Sequence, residues 1–589
     1  MPYAHNVKFL PTFRRADTQH SGKIAQAIGS FSVTERLLFG IFLVIFILSG
    51  LTLLLQINER LLVSVPRAGG THHEGVIGTP RSINPLIAVS ETDRDLTTLV
   101  YSGLMRITPE GELIPDLAVD YTVSDDGLEY FFTIRGDAVF HDGEQVTADD
   151  VVFTVRKAQD PAIKSAKRSD WEGVTVEKVS EQEVRFLLPQ AYAPFLFNTT
   201  LGILPEHIWS SVPAEEFPFT ERNINPIGSG PYEVAQVRRN DAGIVARYTL
   251  TSFEHFTLGR PYIDRIMFSF FKNEDDLLSA LQAGTIDAVN SISPHKAAAL
   301  ESDASVRVVH FPLPRVFGVF FNQSQAPVLA SNSMRQALVT AVNRDDIIAE
   351  VFAGYATPVD SPIPANLVSF TELQSDTDQT NTPQDPTAAA TAILENAGFA
   401  KNDAGVMERK TEDSVSLATL TLATNDVPEL VAIAERVVAQ WRAAGIDATL
   451  KVFDRNDFTQ NVIRPRRYDA ILFGEAIGRD LDFYPFWHSS QRTDPGLNIA
   501  DYANIDVDAA LTDIRTLEDS PERIEALRTF TTEVAKDAPA AFLYSPDFIY
   551  VVPKELGGII PEYIGTPSDR FLAVYNWYLE TDRVWNIFR

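Results

Sequence analysis

The chain has 589 residues, 45% of them hydrophobic, and a formal net charge of −29. A chain of this length and apolar content folds as two or three domains with real cores, and its charge excludes nucleic acid, which needs a basic footprint. It contains no cysteine, which removes disulfides, thiolate nucleophiles, cysteine-ligated zinc and cysteine lipidation.

Residues 1–36 are polar and carry Lys8, Arg14, Arg15, Lys23 and Arg36, so they are expected as a cytoplasmic tail. Residues 37–58 hold no charge. At ~1.5 Å per residue, about 22 residues of helix span ~33 Å, the thickness of a bilayer's hydrocarbon core. The basic flank comes first, which puts the N-terminus inside and the rest of the chain outside. The alternative is a cleaved signal peptide, whose apolar core is shorter. Leu48-Ser49-Gly50 opens like a lipid-attachment signal, but Leu51 stands where the modified cysteine would be. Residues 59–74 read as a linker. His72 and His73 in it read as solvated, because two adjacent histidines fall short of a metal ligand set.

Gly75 to Gly78 reads as a first strand, and Leu96 to Leu104 as a helix ending at Gly103. Ser124-Asp125-Asp126-Gly127 is a turn, followed by an aromatic and β-branched strand from Leu128 to Arg135. His141-Asp142-Gly143 is a second turn. Thr147 then caps a helix whose first turn carries Asp149 and Asp150, with Val151, Val152 and Phe153 packing it down. Val174 to Leu188 is a hairpin. Asn225 to Tyr232 is a glycine-rich crossover with no lysine-bearing phosphate loop around it. Leu277 to Leu281 is a helix closed by Ala283-Gly284.

Arg315 to Asn322 is an aromatic strand, and Glu372 to Pro386 a polar loop. Ser416 to Thr424, Pro428 to Ala444 and Ile446 to Val452 form a strand-helix-strand unit, which implies a parallel α/β lobe. Tyr468 to Leu472 is a short buried strand, followed by a loop over 473–491. Pro521 to Lys536 is helical, and Val574 to Tyr578 reads as a last strand.

Several of these stretches together resemble one family. Pro115-x-Leu117-Ala118, Asp126-Gly127, Ile134-Arg135, Phe140-His141-Asp142-Gly143 and Thr147-Ala148-x-Asp150-Val151-Val152-Phe153 form one such string. Asn225 to Tyr232, Phe256 to Asp264, Ala280 to Ala288, Met334 to Ile347 and Asp501 to Asp508 continue it. This series resembles the oligopeptide/dipeptide-binding family of ABC-importer solute-binding proteins, over roughly residues 75 to 550.

The resemblance implies an α/β, two-lobed periplasmic-binding-protein-like fold, of type II in its large cluster C form with an extra subdomain. The N-terminal transmembrane helix is additional to that fold. The implied lobe I is 75–314, with the extra subdomain at about 105–225. Lobe II is 315–545, and 546–589 return to lobe I. The implied function is capture of peptides, or a similar small solute, between the lobes and delivery to ABC permease subunits. A monomer is expected, with no cofactor and no metal. An anchored peptide sensor or chaperone on the same fold is the alternative. A hydrolase is the enzyme reading, but the chain shows no G-x-S-x-G, H-E-x-x-H or thiol.

In the resembled family an Asp after the Y-D-A strand meets the peptide's amino group, and a Trp earlier in that loop stacks on cargo. Counted from Asp469 without gaps, the Trp position is Glu475 and the Asp position is Gly478. Asp480 takes the Asp role only with about two extra loop residues. Glu475, Asp480 and Asp482 are therefore the acidic candidates for the cargo's amine, Arg479 for a carboxylate, and Trp487 for an aromatic face. On the facing lobe, Val89, Ser90 and Glu91 match the region that flanks cargo.

Overall fold

In a computed structural model, the described residues are 32–364, 385–411, 414–478, 481–517, 520–559 and 564–586. The chain divides into two units, one of residues 1–67 with 581–589 and one of residues 68–580.

The first unit is dominated by helix α1, Val33–Leu61. Ser32 and Glu35 form a reciprocal capping box: the Ser32 backbone N–H donates to Glu35 Oε2 at 2.7 Å, and the Glu35 N–H donates to Ser32 Oγ at 3.4 Å. This satisfies donors that a helix start leaves without partners and sets the start four residues before the uncharged run. None of the helix's residues is buried. Leu62–Arg67 pairs with a strand whose residues from Thr581 to Trp585 belong to the same unit, so part of the expected linker is strand.

The second unit is two-lobed and α/β. Its main sheet has twelve described strands. They are β1 (Thr71–Ile77), β2 (Tyr232–Arg239), β3 (Val245–Ser252), β4 (Arg265–Phe271), β5 (Ala288–Asn290) and β6 (Val306–Pro312), then β7 (Arg315–Phe321), β8 (Ala356–Pro358), β9 (Thr419–Asn425), β10 (Asp447–Phe453), β11 (Ala470–Ala476) and β12 (Ala540–Pro553). The order is β10-β9-β11-β7-β12-β5-β1-β4-β3-β2, with β6 and β8 also on β12.

Strand β12 is shared by both lobes. Its first half pairs with β7, from Phe320↔Ala540 to Phe317↔Tyr544, and its second half with β6, from Pro312↔Asp547 to Val306↔Pro553. The lobes therefore meet where β6 passes into β7 alongside the middle of β12. Pro312, Pro314 and Pro546 cluster at this crossing. A proline offers no N–H to a ladder, so sheet pairing is weakest where the lobes must move against each other. One bond that remains runs from the Leu313 N–H to Pro546 O at 3.0 Å.

In the first lobe, helix α2 (Glu91–Val100) lies against β1 and the segment that returns after β12. Ser90 caps it by accepting from the Asp93 N–H at 3.1 Å. The helix thus begins five residues before the predicted start, and Ser90 is spent on its cap. The extra subdomain is a four-stranded antiparallel sheet, Ala118–Val123, Glu129–Ile134, Glu183–Leu187 and Thr175–Ser180 in spatial order, with α3 (Ala148–Gln159) beside it. Its capping box forms between Thr147 and Asp150, with the Thr147 N–H donating to Asp150 Oδ2 at 2.8 Å.

The two glycine-rich motifs hold each other. The His141 N–H donates to Gly228 O at 2.8 Å, and His141 Nε2 lies 3.1 Å from Gly230 O. Burial lowers the His141 pKa to about 4, so this histidine is a neutral structural group. A Cβ on Gly228 would stand 2.1 Å from Val100 O, and one on Gly230 2.5 Å from Val100 C. Only glycine lets this crossover touch the end of α2.

Thr71–Glu74, expected in the linker, form the first half of β1 at the centre of the sheet. His72 and Glu74 are fully buried, 3.1 Å apart. Glu74 also accepts from Tyr550 Oη at 2.8 Å and Arg570 Nη2 at 3.1 Å, and Arg570 reaches Asp95 of α2 at 2.6 Å. This buried network ties β1, α2, β12 and the returning segment 567–571 together. It explains why the first lobe needs chain from after β12. Residues 574–576 are a 3₁₀ turn rather than the predicted last strand, and Trp577 fills the core behind them.

In the second lobe, β9 and β10 run parallel, joined by α4 (Pro428–Ala443). Helices α5 (Ile505–Thr516) and α6 (Pro521–Asp537) pack below β7 and β12. The predicted loop 372–386 falls largely outside the described residues.

Candidate ligand cleft

The candidate site lies between the lobes. A cavity of about 720 Å³ has Lys167, Asp170, Tyr192 and Asn198 of the extra subdomain on one side and Ala476, Gly478, Asp482 and Arg515 of the second lobe on the other. A second cavity of about 490 Å³ shares Ile107, Lys167, Phe197 and Asn198 with it and extends beneath α2, where Arg94, Thr97 and Tyr101 line it. The space is continuous, bordered by hydrophobic and polar groups of two opposed faces. That is the form of a ligand cleft.

The structure places the candidate residues differently from one another. Val89 is 63% exposed, and Ser90 beside it is exposed at the N-terminus of α2. Glu91 accepts from Asn290 Nδ2 at 3.0 Å and Ser291 Oγ at 3.1 Å, and so is drawn back onto the first lobe's sheet. Asp482 lines the larger cavity, but its carboxylate is gripped by Arg515 through Nη2 at 2.5 Å and Nε at 3.1 Å. Arg515 is itself held over the Tyr484 ring, 4.2 Å from its centroid. Arg479 and Asp480 lie outside the described residues.

Glu475 and Trp487 correct the expectation that they face cargo. Trp487 is 1% exposed and Glu475 2% exposed, and the indole Nε1–H donates to Glu475 Oε2 at 3.1 Å. Both sit in an apolar cluster with Phe320, Phe530, Phe542 and Tyr502. The strand period decides this. Glu475 pairs with Val316 of β7, itself fully buried, so its side chain takes the inward side of β11. The other carboxyl oxygen has no protein partner. Burial pushes the Glu475 carboxyl well above the ordinary carboxylate range, and the Trp487 bond offsets this only in part. Glu475 is therefore a neutral acid in the core.

Sequence reasoning did not single out Arg94, Lys167 or Arg515. A lone basic residue carries no local signal, and these three come from stretches far apart in the chain. The Asp482–Arg515 pair joins residues 33 apart, one in the loop before the helix Tyr484–Trp487 and one in α5.

The model for bacterial extracellular solute-binding proteins, family 5 Middle, matches residues 112–495. The chain belongs to this family. It is a family of solute-binding proteins rather than of enzymes, and a two-lobed body around a cleft is its expected architecture. The oligopeptide-binding protein AppA of Bacillus subtilis is 27% identical over 520 residues, spanning 87% of this chain and 92% of that protein. The crystal structure of Bacillus subtilis AppA in complex with a nonapeptide matches with a TM-score of 0.66 and 26% identity, covering 88% of this chain and 100% of AppA. The ABC transporter substrate-binding protein CtaP of Listeria monocytogenes matches with a TM-score of 0.72 and 27% identity, covering 87% and 100% of the two chains. The lines of likeness thus run through both lobes of this family 5 protein.

Proposed function

We propose that this family 5 protein captures peptides between its lobes and delivers them intact to the permease of an ABC importer. The observation that carries this reading is the continuous cleft between two faces joined at the β6–β7 and β12 crossing. Two faces that hinge about one crossing can close over an extended solute and release it by opening. The relatives support peptide as the cargo, since AppA is an oligopeptide-binding protein and its crystal structure holds a nonapeptide. CtaP supports the transporter partner. Cargo would meet Val89 and Ser90 on one face and the loop carrying Arg479, Asp480 and Asp482 on the other. The protein acts as a monomer and catalyses nothing. Calorimetry of residues 68–586 with a defined oligopeptide pool, followed by mass spectrometry of what is bound, is expected to yield saturable binding and intact peptides. Accumulating fragments would identify a hydrolase instead.

We further propose that α1 is retained as a single-pass anchor that leaves the body outside the cell membrane. The support is its length, its apolar, fully unburied surface and the basic residues that precede it. N-terminal sequencing of the protein from native membranes is expected to read from the cytoplasmic tail. A mature start near Gly70 would mean a cleaved signal.

A further inference from the structure

We propose that the strand pair at the outer end of α1 is a membrane-docking surface, with Trp585 seated among the lipid headgroups of the outer leaflet. This inference rests on α1 being retained as an anchor, and it adds the C-terminal strand to that anchor.

The pair begins where the helix stops. Leu61 is the last residue of α1 and Leu62 the first of its strand. In the last helical turn the Asn58 carbonyl accepts from the Leu62 N–H, and Asn58 Oδ1 accepts from the Trp585 indole Nε1–H at 2.9 Å. Trp585 is thereby fixed at the end of the helix, although 527 positions separate it from Asn58. Asn58 is also the last residue of the uncharged run, and Glu59 and Arg60 follow it. With α1 across the bilayer, this change from uncharged to charged residues marks the exit from hydrocarbon, so Trp585 lies at the depth of the headgroups. Indole suits that depth, because its ring is apolar and its N–H is polar and here already satisfied.

Exposure points the same way. The chain has six tryptophans. Trp171, Trp209, Trp441, Trp487 and Trp577 are at most 2% exposed, whereas Trp585 is 46% exposed. The strand pair also lacks a core of its own, since no residue of Leu62–Arg67 or Glu580–Trp585 is buried. Two strands alone are marginal in water and need something apolar to pack against. Leu62, Val63, Val65 and Val584 are only half-buried, and the bilayer interface into which the preceding helix runs is the apolar surface within their reach.

Charge permits the docking. Across the two strands and the last turn of α1, Arg60, Arg67 and Arg583 balance Glu59, Glu580 and Asp582. This end therefore escapes the repulsion that a chain of net charge −29 meets at an anionic leaflet. Arg67 Nη1 donates to Asp582 Oδ1 at 3.4 Å, an internal pairing that lowers the cost of bringing both charges near lipid. The chain passes between its two units twice, at 67–68 and at 580–581, so a docked pair tethers the body by two segments rather than one.

The test places the full chain in phosphatidylcholine vesicles, either plain or brominated near the headgroup end of the acyl chains. Bromine quenches only indole that touches lipid, and the emission of the parent less that of Trp585→Phe isolates Trp585. That difference is expected to lose most of its intensity in the brominated vesicles, while Trp585→Phe itself is equally bright in both. A difference of equal intensity in both vesicles, from protein that only detergent releases, overturns the docking and leaves the anchor standing. A chain that starts near Gly70 when isolated from native membranes overturns the anchor, and the docking falls with it. Should Trp585→Phe fail to fold, Arg583→Cys carries the test. The chain has no other cysteine to label, and Arg583 is exposed and two positions along the strand, hence on the same side as Trp585. A nitroxide there is expected to relax more with dissolved oxygen, which collects in lipid, than with a water-soluble nickel chelate. The reverse order overturns the docking.

Discussion

Arg570→Met is expected to destabilise the body by about 3–5 kcal/mol, read as a shift in its urea unfolding midpoint. Arg570 is fully buried and lies 3.1 Å from Glu74 and 2.6 Å from Asp95, both fully buried as well. Burial alone would lower its pKa, but the charges of Asp95 and Glu74 outweigh that and hold it above the usual arginine range. Methionine fills similar space but leaves two carboxyl groups buried with no cation, and breaking a buried pair from one side costs about this much. The deficit has a predictable pH dependence. The orphaned carboxyls of the variant would have raised pKa values through burial. The excess loss should therefore be smallest below the ordinary carboxylate range, about pH 4, and grow as pH rises above it. A shift of under about 1 kcal/mol at neutral pH would show that the network does not hold the returning segment. Because α2 carries both Asp95 and Arg94, which lines the smaller cavity, the variant should also bind cargo less well.

The Glu475–Trp487 pair supplies the second large effect. Trp487→Ala is expected to cost about 3–5 kcal/mol, the range for deleting a buried aromatic side chain. Trp487 contacts Phe320, Phe530, Phe542 and Tyr502 at ring separations of 5.8–6.2 Å, and the vacated space would also strip Glu475 of its donor. A cargo-stacking tryptophan would behave oppositely, losing affinity with little loss of stability. Glu475→Gln separates charge from packing. The folded-state pKa of Glu475 is raised by burial, so the parent's contribution from this site is intact below about pH 4.3, the unfolded value. It is lost as pH rises toward the folded value. Glutamine does not ionise and still offers an oxygen to Trp487. The variant should match the parent near pH 4 and exceed it by about 1–3 kcal/mol at pH 8, the scale of an ill-satisfied buried group. Equal stability at both pH values would mean that Glu475 reaches water.

These two clusters show where reading from sequence succeeds and where it stops. The capping box at Thr147 and Asp150, the 124–127 turn and the parallel β9-α4-β10 unit are local. Their residues act on neighbours a few positions away, and each was legible. The Asn225–Tyr232 crossover was legible as glycine-rich, but the need for glycine came from Val100, more than a hundred residues earlier. His72 read as solvated, and Glu74 as part of the linker, because polar residues beside a linker usually are. What buries them is Arg570, 496 positions beyond Glu74, and no local pattern announces that partner. The start of α2 was missed although Ser90 and Asp93 carried a capping signal, since the apolar run begins only at Leu96. Glu475 was misplaced for a different reason. An acid at the end of a buried strand was read as lining the cleft, whereas the period of β11 turns it to the core.

The claim that the lobes close on peptide is tested most directly by small-angle X-ray scattering of residues 68–586, alone and saturated with tetra-alanine or Ala-Glu-Ala-Ala amide. The account predicts a smaller radius of gyration with cargo, reversed when the cargo is dialysed away, and intact peptide recovered afterwards. An unchanged radius at saturating peptide would contradict it, because a cleft between hinged lobes that binds without closing has no means of signalling its occupancy to a transporter.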